Sequence, residues 1–144
     1  MTIAEVQDEV VDEFSFFDDW QERYKHIIEL GRELPPLPDE FKTEDNLVRG
    51  CQSQVWLHAE TRDDGSVYFQ ADSDALIVRG LVALTVRVYS GHPPAEVAAT
   101  PPEFLERIGM SEHLSMTRAN GLRALIKKIK IYALAYQTIG EREN

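Results

Sequence analysis

The residue with the clearest chemical potential in this sequence is Cys51, the single cysteine of the chain. One cysteine excludes an intramolecular disulfide, a CxxC redox pair and a zinc site built from several thiolates. A lone cysteine is often a small buried hydrophobic residue, so its role depends on its neighbours. Two interpretations stand at this point: a reactive thiolate, or a cysteine packed in an ordinary turn.

Residues 49–54 surround this thiol with small and polar side chains, directly before an apolar stretch. Gly50 lets the backbone turn tightly beside Cys51. The polar side chains that follow Cys51 are Gln52, Ser53 and Gln54. Polar residues at such a position are typical of a loop that adapts around a reacting atom. Arg49 is expected to stabilise a thiolate or persulfide anion, because a nearby positive charge lowers a thiol pKa from its usual value of about 8.5.

Two histidines are candidates for a base that would activate a cysteine nucleophile. His58 lies in the apolar stretch after Cys51, and His113 precedes the last long apolar pattern. A hydrogen-bonded structural histidine is the alternative at both positions. The four histidines are scattered without ligand spacing such as HxxxH, so we predict no metal site.

Acidic residues are concentrated in the first third of the chain. Residues 1–45 hold 14 acidic and 4 basic residues, a net charge of −10, whereas residues 46–144 hold 11 of each. Nucleic acids and anionic membranes would repel this end, so we predict neither partner, while a partner with a basic face is compatible. The alternative is a solubilising acidic helix surface. No apolar run reaches roughly 18 residues, and the acidic start is unlike a secretory or transit peptide, so we expect a cytoplasmic protein.

The elements that must position the cysteine begin with two helices. An apolar stripe at helical spacing predicts the first helix, through Ile3, Val6, Val10, Val11 and Phe14. The second is expected to begin near Asp18 as its N-cap, with Gln21 three residues on as in a capping box. Its inner face is Trp20, Tyr24, Ile27, Ile28 and Gly31. The proline-rich residues 34–38 end it, because proline lacks the amide hydrogen that a helix needs.

A small antiparallel sheet is expected next, with the cysteine at a strand end. Residues 54–61 alternate in polarity and are rich in Val, Trp and Leu, which is typical of a strand. Residues 63–65 form a turn, and residues 67–71 return as the partner strand of a hairpin. Leu47 and Val48 are expected to add a third, short strand before Cys51.

Helices fill the remainder of the chain. Asp72, Ser73 and Asp74 are expected to cap a long central helix over residues 75–90, which is apolar nearly all round. Short helices follow over residues 95–99 and 103–108, and Ser115 or Thr117 caps the last helix. Its buried stripe is Leu122, Leu125, Ile126, Ile129, Ala133 and Tyr136. The predicted fold class is α+β, a single domain of residues 1–144 with a sheet of about three strands covered by helices.

Several motifs, taken together and in order, resemble the SufE family of sulfur acceptor proteins. The cysteine segment of this resemblance is Gly50-Cys51-Gln52-Ser53-Gln54-Val55-Trp56. Before it come Trp20, Tyr24, Ile27-Ile28-Glu29-Leu30-Gly31 and Leu34-Pro35. After it come Asp72-Ser73-Asp74-Ala75, Ile77-Val78-Arg79-Gly80-Leu81, His113-Leu114-Ser115 and Arg118-Ala119-Asn120-Gly121-Leu122. The resemblance covers residues 16–135 and leaves the acidic helix of residues 1–15 outside it.

The resemblance implies a SufE/NifU-like fold and a role beside a PLP-dependent cysteine desulfurase. Cys51 would carry sulfur as a persulfide, taking it from a SufS-like desulfurase, stimulating that enzyme, and passing the sulfur to a SufB-like cluster-assembly scaffold. No cofactor is expected on this chain, because the PLP belongs to the desulfurase. Transfer through Cys51 would make the chain an accessory protein rather than a stand-alone enzyme.

The resemblance also implies that residues near the cysteine form its loop or contact the partner. These residues are Arg49, Gly50, Gln52, Ser53, Gln54, Asp74 and Arg118. A simpler role for Asp74 is to complement a helix N-terminus. The charge of Arg118 opposes the dipole at the start of the last helix, which favours a role beyond helix stability.

Alternative functions remain open from the sequence alone. Closely similar acceptors of the CsdE type serve a parallel cysteine sulfinate desulfinase pathway. An iron–sulfur scaffold of the IscU type would ligate its cluster with several cysteines, and this chain has one. An independent enzyme with a cysteine nucleophile would need a resolving thiol or a Cys–His–acid set. A monomer and a homodimer are both compatible with the composition.

Overall fold

The computed structural model describes residues 1–143, in which a helical pair, a β-hairpin and a helical C-terminal half follow in order. The helices are α1 (Ile3–Ser15), α2 (Trp20–Glu33), α3 (Leu76–Tyr89), α4 (Pro94–Ala99), α5 (Glu103–Arg107), α6 (Met110–His113) and α7 (Met116–Glu143). The strands are β1 (Val55–Thr61) and β2 (Val67–Ser73), and a single 3-10 turn spans Asp39–Phe41. The α+β class predicted from the sequence is confirmed, while the short helix α6 was not expected.

The sheet consists of two antiparallel strands rather than about three. Val55 lies opposite Ser73 and Thr61 opposite Val67, so β1 and β2 pair along their whole length. The predicted third strand is reduced to one isolated bridge between Leu47 and Trp56. The chain leaves the sheet immediately afterwards because Gly50 adopts a φ of +93°, a left-handed conformation that ends strand pairing.

Helix α3 is the centre of the core, as its apolar sequence predicted. It packs against α2, β2, α1 and α7. The crossing with α2 is close, because a side chain at Gly80 would collide with the backbone of Ile27. Helix α1 presents the predicted apolar stripe to α3 and begins with a capping box between Thr2 and Glu5. Burial of these apolar faces supplies the main driving force for the fold.

The start of α2 differs by one residue from the prediction. Asp19, not Asp18, is the N-cap, and its carboxylate accepts a hydrogen bond from the backbone N of Glu22 at 2.8 Å. The expected capping box with Gln21 is therefore wrong. Leu34 ends the helix at the proline-rich segment, as predicted.

The residues expected to cap α3 do not act as its N-cap. Asp72 and Ser73 lie in β2, and the N-cap of α3 is Ala75, which offers no side-chain hydrogen bond. Asp72 is 2% exposed and pairs with Arg79. Its carboxylate also accepts from the backbone N of Leu37 at 3.0 Å, and so satisfies an amide that would otherwise be buried without a partner.

Arg79 ties the end of α2 to the hairpin. Its guanidinium donates to the carbonyl of Gly31 at 3.1 Å and to the carbonyl of Leu34 at 2.7 Å, two groups at the C-terminus of α2. A cation is favourable at that end of a helix dipole, and its bonds satisfy carbonyls that lack a helical partner. Together with Asp72, Arg79 fixes β2 and α3 relative to α2.

Helix α7 is the longest element and closes the fold over the hairpin. Ser115 precedes it, and its hydroxyl accepts from the backbone N of Arg118 at 3.2 Å, in agreement with one of the two predicted caps. Lys128 donates to the carbonyls of Asp45 and Leu47 at 2.9 and 3.1 Å. These bonds hold the segment before the cysteine against α7. Among the described residues, no helix is both long and apolar enough to cross a bilayer.

Candidate functional site

Cys51 lies in the loop between the Leu47 bridge and β1, as the sequence predicted. Gly50 turns the chain immediately before it, and the side chain of Cys51 is half-buried against the core. The loop ends at Val55, which is 2% exposed and anchors the start of β1. The thiol is therefore held between a glycine turn and a strand packed in the core.

A cavity of about 350 Å³ opens beside the thiol. Its apolar wall comes from α3 and α7 and includes Ile77, Val78, Leu81, Val82, Leu122 and Leu125. Its polar wall includes Gln52, Ser53, Ser115, Thr117 and Arg118. Gln52 and Arg118 are exposed, so the polar wall faces solvent while the apolar wall lies towards the core. A sulfur atom bound to Cys51 would have an apolar enclosure on one side and a cation on the other.

Gly121 is the direct partner of the thiol. The Sγ atom of Cys51 donates to the carbonyl oxygen of Gly121 at 3.5 Å. The sequence analysis placed Gly121 in the last of the family motifs and did not connect it with Cys51. A glycine inside an otherwise good helix is the signal for such a close approach.

Burial raises the pKa of the Cys51 thiol. Loss of water disfavours the charged form of the sulfur, so the thiol in this conformation is mainly protonated at neutral pH. The expectation that Arg49 lowers this pKa is wrong. Arg49 is exposed, and its charge acts instead on Lys128. The pKa of Lys128 is lowered first by burial and second by the positive charge of Arg49.

Asp74 closes the base of the cysteine loop. Its carboxylate accepts from the backbone N of Gln54 at 3.0 Å, and its own backbone N donates to the carbonyl of Gln54 at 3.2 Å. The pair continues the β1–β2 register by one step beyond Val55 and Ser73. Asp74 therefore positions the loop, and it is not the N-cap of α3, which is Ala75.

Neither candidate base lies in the cavity. His58 stacks on Phe41 with ring centroids 3.8 Å apart, and His113 stacks on Trp20 at 3.9 Å. The cavity lining contains neither histidine. Within residues 1–143, side chains of His, Cys, Asp and Glu form no cluster suited to a metal ion. The stacking of both histidines on aromatic rings supports a structural role for them rather than a role as the base that activates Cys51.

Comparisons with known proteins show the family to which this chain belongs. The SufE family profile, described as an Fe-S metabolism associated domain, matches residues 8–133. The chain belongs to the SufE family. A SufE-like protein of Rhizobium etli is 48% identical over 127 residues, covering 85% of this chain and 86% of the relative. One of Rhizobium meliloti is 45% identical over 127 residues, covering 85% and 91%.

A plant relative and a solved structure extend the comparison of this SufE-family chain. SufE-like protein 1, chloroplastic/mitochondrial, of Arabidopsis thaliana is 35% identical over 136 residues, which cover 94% of this chain and 37% of the plant protein. The solution structure of a hypothetical protein from Thermus thermophilus superposes with a TM-score of 0.76 at 22% identity. It covers 92% of this chain and 96% of its own, so it supports the fold. The family places the chain in Fe–S metabolism.

The seven loop and partner-contacting residues predicted for this SufE-family chain separate into three groups. Gln52, Ser53 and Arg118 line the cavity with Cys51. Gly50, Gln54 and Asp74 shape the loop through its turn and its base. Arg49 lies on the exposed side of the turn, near Lys128.

Proposed function

We propose that this chain is a sulfur acceptor and carrier that takes persulfide sulfur from a PLP-dependent cysteine desulfurase onto Cys51. The observation that carries the proposal is the position of the chain's single thiol, which lies in a loop beside a cavity of about 350 Å³ with an apolar wall. Apolar walls limit access of water and soluble oxidants to a reactive sulfur. Membership of the SufE family supports the same role.

Transfer would proceed as a thiol exchange at sulfur. The Cys51 thiolate attacks the terminal sulfur of the desulfurase persulfide, the sulfur–sulfur bond of the enzyme breaks, and the enzyme cysteine leaves as a thiolate. The terminal sulfur, with its proton when it carries one, is now bound to Cys51 as a persulfide. No electrons are gained or lost overall, so the step needs no redox cofactor on this chain.

The thiol must lose its proton before it attacks, and burial opposes that loss. Among the described residues that line the cavity, there is no histidine or carboxylate that would accept the proton. Movement of the loop away from the apolar wall would return the thiol pKa towards its usual value of about 8.5. We therefore infer that docking of the desulfurase draws Cys51 out of the cavity and supplies the environment in which the thiolate forms.

Delivery completes the proposed cycle. The persulfide on Cys51 would pass its terminal sulfur to a SufB-like scaffold for cluster assembly in the cytoplasm, while the PLP stays with a SufS-like desulfurase. An acceptor for a cysteine sulfinate desulfinase would use the same chemistry. Measuring sulfur loading with each purified enzyme in turn identifies which of the two is the donor.

The test of the proposal is loading of the intact chain, followed by mass spectrometry of the protein and its peptides. Incubation with a competent desulfurase and cysteine should add sulfur at Cys51 and nowhere else. Cys51→Ser should still bind the desulfurase in a pull-down yet give no adduct and no stimulation of turnover, because a hydroxyl cannot form a persulfide. An unmodified wild-type chain, or full stimulation by Cys51→Ser, would overturn the proposal.

An iron–sulfur cluster scaffold would be distinguished from a sulfur carrier by its behaviour with iron and sulfide. Ligation of an iron–sulfur cluster takes several thiolates, and the sequence contributes one per chain. Anaerobic incubation with ferrous iron and sulfide therefore should leave the chain colourless while desulfurase loading succeeds. Visible absorption from a bound cluster would favour the scaffold.

A further inference from the structure

Gly121 faces Cys51 across the junction between α7 and the cysteine loop. A side chain built there would place its Cβ 3.2 Å from the Sγ atom of Cys51 and 3.7 Å from its Cα and Cβ atoms. The contact with sulfur is tighter than ordinary van der Waals packing, so even alanine would require the sulfur to move by a few tenths of an ångström. Glycine is a poor helix former. The helix by itself gives no reason for glycine at this position, whereas the cysteine does.

We propose that Gly121 is the positioning residue of Cys51, whose missing side chain admits the thiol to the cavity and whose carbonyl holds it there. The proposal deepens the proposed function, because it identifies what keeps the acceptor sulfur sheltered between transfers. Gly121 acts through Cys51 and through its own backbone, so it is a positioning residue and not a catalytic one.

The carbonyl of Gly121 distinguishes between the two forms of the sulfur. A protonated thiol donates to this oxygen, with Sγ and O 3.5 Å apart. A thiolate has no proton to donate and would face the partial negative charge of the carbonyl at the same distance. The closed loop therefore favours the thiol, and loss of the proton favours release of the loop from α7.

Few charged groups near the sulfur oppose this preference for the protonated thiol. The wall contributed by α3 and its N-cap is uncharged, through Ala75, Ile77, Val78, Leu81 and Val82. From α7, Arg118 is the charged residue in the lining, and it is exposed. On the loop side, Arg49 is exposed and Asp74 is engaged with the backbone N of Gln54. Burial and the Gly121 carbonyl thus dominate the surroundings of the sulfur.

A series of increasing side-chain volume at position 121 tests the proposal without a desulfurase. Gly121→Ala and Gly121→Val are compared with wild type by the rate of Cys51 alkylation with iodoacetamide over a range of pH. The alkylation rate near neutral pH should rise from glycine to alanine to valine. The apparent thiol pKa should fall along the series, and each unit of that fall raises the thiolate fraction about tenfold.

Gly140 provides the matched control on the same helix. A Cβ at Gly140 meets no atom within 4 Å. Gly140→Ala and Gly140→Val should leave both the alkylation rate and its pH profile unchanged. If the Gly121 series gives the same rates and the same apparent pKa as wild type, the proposal is overturned.

Thermal melting in two backgrounds separates the cysteine contact from a general effect on folding. Replacing Cys51 with alanine removes the atom that the new Cβ would crowd. Gly121→Ala should then raise the Tm in the Cys51→Ala background, as Gly140→Ala is also expected to do, and should raise it less or lower it in the Cys51 background. Equal shifts in both backgrounds would contradict the proposal.

The outcome is distinguishable from a failure of the proposed function. Alkylation and melting use the isolated chain, and their results do not depend on any sulfur donor. A chain that accepts no sulfur from desulfurases would remove the carrier role, whereas alkylation and melting would still decide what Gly121 does to Cys51.

Discussion

Asp74 and Gln54 hydrogen-bond to each other in both directions, at 3.0 and 3.2 Å, and so close the base of the cysteine loop. One of these bonds depends on the side chain of Asp74 and the other only on its backbone. The loop that carries Cys51 is therefore anchored to the end of β2 by a carboxylate that substitution can remove without changing the strand pairing. The contribution of the Asp74 side chain to loop anchoring can therefore be measured by substituting this residue.

Asp74→Ala should loosen the loop while the fold remains intact. Loss of one hydrogen bond at a site of this kind costs about 1 kcal/mol, which corresponds to about fivefold faster hydrogen exchange at the Gln54 amide. Hydrogen exchange followed by mass spectrometry measures that amide, and iodoacetamide reports the accessibility of Cys51. Asp74→Asn keeps an oxygen acceptor and is the control. Unchanged exchange at Gln54 in Asp74→Ala would show that the side chain does not anchor the loop.

Arg118→Ala should slow sulfur transfer without disabling the thiol. Arg118 is the charged residue among those that share the cavity with Cys51, and its exposure makes it available to a partner or to an anionic persulfide. Loss of one such contact, about 1.4 kcal/mol, slows loading about tenfold. Stimulated turnover and Cys51 alkylation measure the two properties separately. Arg123→Ala is the control, because Arg123 is exposed on the same helix outside that cavity. Equal transfer rates in both variants would remove Arg118 from the site.

The buried thiol should make the stability of the protein depend on alkaline pH. Burial raises the pKa of Cys51, so its stabilising contribution is complete below the unfolded pKa of about 8.5 and is lost as the pH rises through the folded value. The Tm of wild type should therefore fall more steeply than that of Cys51→Ser as the pH rises above about 8.5. Lysines and tyrosines titrate alike in both proteins, so their contribution cancels. Parallel curves would contradict the burial of the thiol.

Asp72→Ala should be strongly destabilising, although it removes only one side chain outside the cavity. Asp72 is 2% exposed and pairs with Arg79, which in turn holds the end of α2. Removing one partner of a buried pair costs about 3–5 kcal/mol, because the other charge is left without compensation. Urea unfolding measures the loss. Asp8→Ala removes an exposed pair with Arg107 and should cost at most about 1 kcal/mol. Similar losses for the two variants would show that Asp72 is not a structural anchor.

The order and type of the main elements were predictable because their apolar periodicity is strong. The stripe of α1, the hairpin and the central helix α3 all follow from the spacing of apolar residues and from the glycine and proline residues between them. The errors occur where short polar residues have more than one available partner. The sequence predicts Asp18 as the N-cap of α2, whereas Asp19 takes that role in the structure. It also predicts Asp72 at a helix end, whereas Asp72 pairs with Arg79.

The prediction of a third strand was wrong for a related reason. Leu47 and Val48 have the composition of a strand, but strand length depends on how far the partner backbone stays in register. Gly50 turns the chain after a single bridge to Trp56. The sequence marked the turn at Gly50 correctly and still overestimated the pairing before it.

The sequence by itself determined which residue carries the proposed chemistry, because Cys51 is the only thiol and its segment matches a known family. Only the tertiary structure decided what surrounds that thiol. The environment of a sulfur atom depends on residues brought together by packing, and Gly121 lies 70 positions away along the chain. Local charge suggested that Arg49 would favour the thiolate, whereas desolvation by the core and the carbonyl of Gly121 favour the protonated thiol.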